Sequence, residues 1–399
     1  MPKSRAILLF TLGALVLFAT EIIRVYLIMP FPGSQRADTV KLAWSINHYR
    51  YLLRALGLIL VALPLLRLWR KARTGGKIAL GTIVLFYCVV FYFFNFRFEA
   101  DKMFYQPGHK AFAQAADNKI PLNKLVIGVV AGDEARAYPI QLIGYHHQVR
   151  DTVGGIPVMI TYCTVCRTGR VYSPTVKGHL EDFRLVGMDH FNAMFEDAAT
   201  GSWWQQATGE SVAGPLTGTR LAELTSTQVS LREWLYEHPD SKVLQPDTVF
   251  KKDYADLADY DIGTIKGSLE KRDSGSWKMK SWVVGVRSGR YTKAYDWNVL
   301  VTHTMIQDTV GATPVLLLLD PDSVSFHTWN RREQGQILTF EKIPGQPLLR
   351  DTNTGSQWNT VGLCISGPLK DQQLEPVQSY QEFWHSWSHF HPSTTRYQQ

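Results

Sequence analysis

VIGVVAGDEARAYPIQLIGYHHQVRDTVGGIPVMITYC, residues 126–163, returns as VVGVRSGRYTKAYDWNVLVTHTMIQDTVGATPVLLLLD, residues 283–320. At a constant offset of 157 the two stretches share 13 of 38 positions, where unrelated sequence would share about two. The register resumes downstream after short slips. Thr200-Gly-Ser202 answers Thr354-Gly-Ser356, Trp204 answers Trp358, Gly214-Pro-Leu216 answers Gly367-Pro-Leu369, and His238-Pro239 answers His391-Pro392. Each copy is the size of a small domain. Residues 125–130 and 158–162 are short apolar runs rich in β-branched side chains, bounded by Gly-Asp and Gly-Gly-Ile-Pro turn chemistry. Residues 167–169 turn the chain into a further strand, so Cys163 and Cys166 stand at the tip of a hairpin. One helix per copy, over 230–237 and 380–388, runs up to a His-Pro stop. The expected fold is a β-rich α+β region made of two internally repeated lobes.

Upstream the composition changes. Three apolar runs, 6–29, 51–69 and 78–96, are each long enough as helices to cross a hydrocarbon core about 30 Å thick. A cleavable signal peptide is the rival reading of the first run, but no small-x-small site stands out and two more runs follow. Glu21 and Arg24 fall near the far end of that first run, three residues apart, where they can pair or reach the interface. Lys3 and Arg5 precede it, and the link between the second and third runs holds Arg70, Lys71, Arg73 and Lys77 with no acid. Positive loops stay in the cytoplasm. Three spans that start inside finish outside, so the chain is expected to be a multi-pass protein of the inner (cytoplasmic) membrane. Its N-terminus would be cytoplasmic and everything after residue 97 periplasmic or extracellular. The expected division is a membrane anchor with three transmembrane helices over 1–97, a first lobe over 98–245, a connector over 246–281 and a second, degenerate lobe over 282–399.

Charge supports the same division. The 399 residues carry 42 Lys+Arg against 35 Asp+Glu, a net +7 that invites a nucleic-acid reading. Residues 1–100 hold 13 Lys+Arg and 3 Asp+Glu, leaving 29 against 32 for the rest. The basic excess therefore belongs to the anchor, and nucleic acid is not an expected partner. Four cysteines exclude a disulfide-dense scaffold, and no nucleotide loop or hydrolase triad motif is present.

A repeat supplies an internal control, because what both copies keep serves the fold and what one copy keeps is a candidate for chemistry. Cys163 and Cys166 become Asp320 and Ser323 in the second copy. A two-residue spacer lets two sulfurs converge on one ion or on each other. Two sulfurs do not complete a zinc site, so the N and S donors His146, His147, His190 and Met188 are candidate further ligands, with copper or zinc as the metal. His146 recurs as His303, which equally suits a core histidine. Arg167 and Arg170 flank the pair and are expected to lower the thiol pKa values. Asp189, Arg167, Trp203 and Gln205 are candidate pocket residues. The Asp197-x-x-Thr-Gly-Ser turn recurs at Asp351 and reads as structural.

Val126-Ile-Gly-Val, Ala135-Arg-Ala-Tyr-Pro139, His146, Asp151, Gly154-Gly155-Ile-Pro-Val, Thr161-Tyr-Cys-x-x-Cys166 and Asp197-x-x-Thr-Gly-Ser-x-Trp-x-Gln together resemble the domain of unknown function 3179 family of prokaryotes. The resemblance spans about residues 107–319 and implies an exported or membrane-anchored protein with a CxxC hairpin and a degenerate second half. It implies no reaction. The family pattern has Pro where Thr164 stands, His-Glu where His146-His147 stands, and Ser-Gly where Val186-Gly187 stands. The second change removes a carboxylate and adds a metal donor.

Three functions remain open on the sequence. The first is a membrane-anchored extracytoplasmic protein that holds copper or zinc at the CxxC/His site for metal handling or electron transfer, with a metal or redox partner. The second is a thiol oxidoreductase or other enzyme using the Cys pair, and the third a non-catalytic scaffold stapled by a disulfide.

Overall fold

The three apolar runs form helices because nothing in them breaks the i to i−4 ladder except one proline. A computed structural model, which describes residues 1–398, places α1 at Lys3–Tyr26, α2 at Val40–His48, α3 at Arg50–Lys71 and α4 at Thr74–Phe96. Helices α1, α3 and α4 are long and apolar enough to cross a membrane. Helix α2, inside what reads as a polar loop, lacks the length to declare itself in sequence. The chain divides into two compact units, Met1–Tyr105 with Glu181–Arg220, and Gln106–Leu180 with Leu221–Gln399.

In the first unit, α1 and α3 cross at Gly13 and Gly57. A Cβ on Gly13 would lie 2.7 Å from Leu60 Cβ, and one on Gly57 would lie 2.7 Å from Leu17 Cγ. Such small-residue crossings let backbones approach where lipid supplies no hydrophobic drive. A polar cluster ties the three long helices together at one end. Glu21 accepts from Arg54 Nε and Nη2, both at 2.7 Å, and from Asn95 Nδ2 at 2.9 Å. Arg24, 3.6 Å from Glu21, donates to Glu99 at 2.8 Å and to Asn95 Oδ1 at 2.7 Å. The pairing expected within α1 is thus one edge of a larger network.

The rest of this unit is an antiparallel sheet in the order Ser211–Ala213, Trp203–Gln205, Asn192–Asp197, Phe183–Asp189. Its apolar face buries Val186, Met194 and Trp203 against Ile28, Val40 and Ala43. Gly187 is required there: it adopts φ +155°, and a Cβ would stand 2.4 Å from Ile28 O.

The second unit is β-rich. Strands Leu125–Ala131 and Glu134–Pro139 form a hairpin flanked by Thr227–Ser230 and Lys242–Leu244. Helix Ile140–His146 follows, then the sheet Gln148–Val153, Ile156–Cys163, Thr168–Tyr172. Later in the chain, Trp282–Ser288 and Tyr291–Asp296 form a hairpin flanked by Ser379–Phe383 and Thr395–Arg396. Helix Trp297–His303 follows, then the sheet Met305–Val310, Thr313–Leu319, Phe326–Asn330. A four-stranded sheet, Phe340–Lys342, Leu348–Asp351, Gln357–Asn359, Cys364–Ser366, also belongs to it.

Several local packings recur. Trp234 of helix Leu231–Glu237 lies on Gly128, where a Cβ would meet Cζ3 at 2.1 Å, and Trp387 of helix Trp384–Phe390 lies on Gly285 at 2.2 Å from Cε3. Tyr138 donates to Asp151 at 2.7 Å, and Tyr295 donates to Asp308 at 3.0 Å. The Asp197 turn holds Thr200 N at 2.6 Å and Trp204 Nε1 at 2.8 Å, and the Asp351 turn holds Thr354 N at 2.6 Å and Trp358 Nε1 at 2.9 Å. Both aspartates therefore close turns, in keeping with a structural role.

Candidate functional site

Strand Ile156–Cys163 ends at the first cysteine, the chain turns through residues 164–167, and Arg167 at φ +54° feeds the returning strand, with Cys163 opposite Thr168. Both sulfurs point inward. Cys163 and Cys166 are fully buried, are present as thiols, and lie close enough to perturb each other. Ser386 lies beside the Cys166 side chain, and Phe383 N donates to Cys166 O at 3.0 Å. The turn is therefore closed by the segment that ends the Ser379–Phe383 strand and begins the Trp384–Phe390 helix.

His385 comes from the same segment and places Nε2 3.8 Å from Cys166 Sγ. Its Nδ1 lies 3.0 Å from Met279 O, and a carbonyl only accepts, so Nδ1 carries the proton and Nε2 presents a lone pair to the thiol. Burial, reinforced by the Lys280 charge, pushes the His385 pKa down to about 3 and keeps the ring neutral. Lys280 donates to Val165 O at 2.6 Å, and burial lowers its pKa although the nearby sulfurs favour its charged form.

The flanking arginines do not activate the thiols as the sequence suggested. Arg167 donates to Gln381 Oε1 at 2.8 Å and to the carbonyls of Tyr260 and Asp261 at 3.2 Å each, with its guanidinium 3.9 Å from the Trp282 ring centre. Arg170 pairs with Glu382, lies 3.6 Å from Glu223 and stacks on Tyr380. Both charges are spent on other partners. Burial, and then Cys163, raise the Cys166 pKa well above the usual thiol range.

His146 and His147, also in the second unit, are engaged elsewhere. His146 Nε2 bonds Tyr254 OH at 2.7 Å, with Phe250 and Tyr145 packed edge-on. His147 caps helix Ile140–His146 at φ +61°, its Nδ1 3.3 Å from Tyr145 O, and burial lowers its pKa to about 4. The other five candidates belong to the first unit. Asp189 Oδ1 meets His190 Nδ1 at 2.6 Å and raises its pKa, while Gln205 donates to Asp189 Oδ2 at 2.6 Å. Met188 is buried, its backbone N bonded to Ile28 O. Trp203 donates to Glu196 at 2.7 Å and lines a cavity of about 20 Å³, room for about one water. Among the described residues, no three His, Cys, Asp or Glu side chains gather into a set able to hold a metal ion.

The residues that sequence reasoning missed are His385, Ser386, Glu382, Gln381 and Lys280. A signal for two of them was present. Aligning 228–239 on 381–392 matches Gln228, Trp234, His238 and Pro239, and shows Glu382 and His385 replacing Val229 and Arg232. The copy comparison thus marks the later segment as well as the hairpin.

A family model described as "Protein of unknown function (DUF3179)" matches residues 106–394. Comparison with curated proteins and with solved structures gave no match.

Proposed function

The chain belongs to the family of proteins of unknown function DUF3179, and from that premise we propose that it is a membrane-anchored protein whose dithiol binds one thiophilic metal ion, monovalent copper, for metal handling or electron transfer. The observation that carries the reading is a pair of fully buried free thiols in one four-residue turn. Monovalent copper accepts two thiolates as a complete, near-linear ligand set, whereas structural zinc asks for four donors. The absence of a three-donor set among the described residues therefore favours copper over zinc.

Cys163 and Cys166 would hold the ion as thiolates, and binding would release their two thiol protons and leave a net charge of −1 at the site. The ammonium of Lys280 beside the sulfurs offsets that charge. Disulfide exchange with a protein partner requires an accessible thiol, and the burial of both cysteines weighs against it.

The same reading takes the two β halves as copies of one unit, supported by their matching order of elements and the paired Gly–Trp and Tyr–Asp packings. It places α1, α3 and α4 in the inner membrane with the N-terminus cytoplasmic and the region after residue 97 periplasmic or extracellular, supported by the basic residues at one end of the helices. The test is copper titration of the full chain in detergent against a chromogenic chelator under reducing conditions. One ion per chain is expected, lost in Cys163→Ser and in Cys166→Ser and kept in His190→Ala. Equal copper in the wild type and the double Ser variant would refute it.

A further inference from the structure

A cavity of about 640 Å³ opens where α1 begins, α3 ends and α4 begins. Lys3, Arg67, Lys71 and Arg73 line it, with Ile7 and Leu68 among its apolar walls. The three helices contain one carboxylate, Glu21. It stands 18 residues beyond Lys3, about 27 Å along α1. The four cations thus share a concave site with no counter-charge from these helices. The composition also excludes two simpler roles. An ion-pair network needs acids, and a polypeptide-binding groove needs a longer apolar floor than three helix ends provide.

We propose that this cavity binds the phosphate headgroup of an anionic phospholipid. A phosphate is the anion that four convergent ammonium and guanidinium groups recognise best. Basic pockets between spanning helices are where such headgroups seat. A lipid is favoured over a free phosphate because the wall runs out onto the bilayer-facing surface. Ile7, on the rim, is 48 % exposed, and an acyl chain would cover it. Arg67, one turn inside the end of α3, is half-buried and lines the cavity. This inference rests on α1, α3 and α4 lying in a bilayer, and is independent of the dithiol.

The test uses the full chain in phosphatidylcholine nanodiscs titrated with palmitoyl-oleoyl phosphatidylglycerol, with bound lipid counted by native mass spectrometry. The wild type should retain phosphatidylglycerol over phosphatidylcholine. Arg67→Gln with Arg73→Gln should weaken retention about 30-fold, from about fivefold for each basic residue removed at an anionic surface. Arg67→Lys with Arg73→Lys keeps the charge and should hold the lipid, which separates charge loss from misfolding. Arg70→Gln with Lys77→Gln removes two cations flanking the α3–α4 link that do not line the cavity, and should weaken retention clearly less than the cavity pair does. The proposal is overturned if the linker pair matters as much as the cavity pair. It is also overturned if phosphatidylglycerol is not preferred, or if excess inorganic phosphate displaces the lipid and binds in its place.

Discussion

Replacing Glu382 by Gln tests whether the segment opposite the CxxC hairpin is held by charge. Glu382 and Arg170 are both about 1 % exposed and form a buried ion pair, and Ser386 donates to the second Glu382 oxygen at 3.1 Å. Glutamine keeps the shape and an acceptor for Ser386 but leaves the guanidinium buried with a neutral partner. Stranding one member of a buried pair costs about 3–5 kcal/mol. Glu223 at 3.6 Å and the Tyr380 ring still face Arg170, so the lower end, about 3 kcal/mol, is expected. For a unit of this size that is about 6–10 °C in thermal midpoint. The assay is tryptophan fluorescence during heating of the full chain in detergent, at fixed scan rate. Arg170→Met with Glu382→Leu removes both charges, and Glu223 keeps Arg287 and the Tyr380 hydroxyl. The double variant should therefore melt closer to the wild type than Glu382→Gln alone. A single-variant shift below about 2 °C, or a double variant less stable than the single, would refute the reasoning.

Three further outcomes follow from the same kind of argument. Burial raises the Glu237 pKa to about 7, with Asp320 and Glu233 adding to it, and His327, despite burial, is raised by Asp320 2.9 Å away. Glu237 holds a proton that the unfolded chain releases, so its stabilisation is full below about pH 4.5 and is lost as pH rises from there through about 7, and His327 adds to the fall above 6.5. The thermal midpoint should fall between pH 5 and 8, and Glu237→Gln should flatten that slope below pH 7 and gain about 2 kcal/mol at pH 8; an unchanged slope in the variant would contradict this. Gly128→Ala forces a Cβ to within 2.1 Å of the Trp234 ring and should cost about 1–3 kcal/mol, partly recovered in Gly128→Ala with Trp234→Leu, as chemical denaturation would show. Glu21→Gln strands Arg54 and Arg24 among the helices and should lower the detergent-solubilised yield and melting temperature, with Glu21→Asp intermediate; a silent Glu21→Gln would count against the network.

Local features were legible because local chemistry decides them. An uninterrupted apolar run has no alternative to a helix where lipid is the solvent. The Asp-x-x-Thr-Gly-Ser turn is closed by bonds within seven residues, and the CxxC hairpin is set by a strand, a short turn and a β-branched return. Helix α2 is not legible in the sequence because nine residues are too few to establish a helical period.

The sequence by itself determined the three long helices, the hairpin that carries the thiols and the family. Tertiary structure decided what surrounds the sulfurs. His385 lies 219 positions from Cys166, and Lys280 is 115 from Val165. Arg167 and Arg170, adjacent in sequence to the thiols, are turned toward Gln381, Glu382 and aromatic faces instead. A thiol's proton affinity depends on burial and on which charges face it in space, and neither is a property of the residues beside it in the chain.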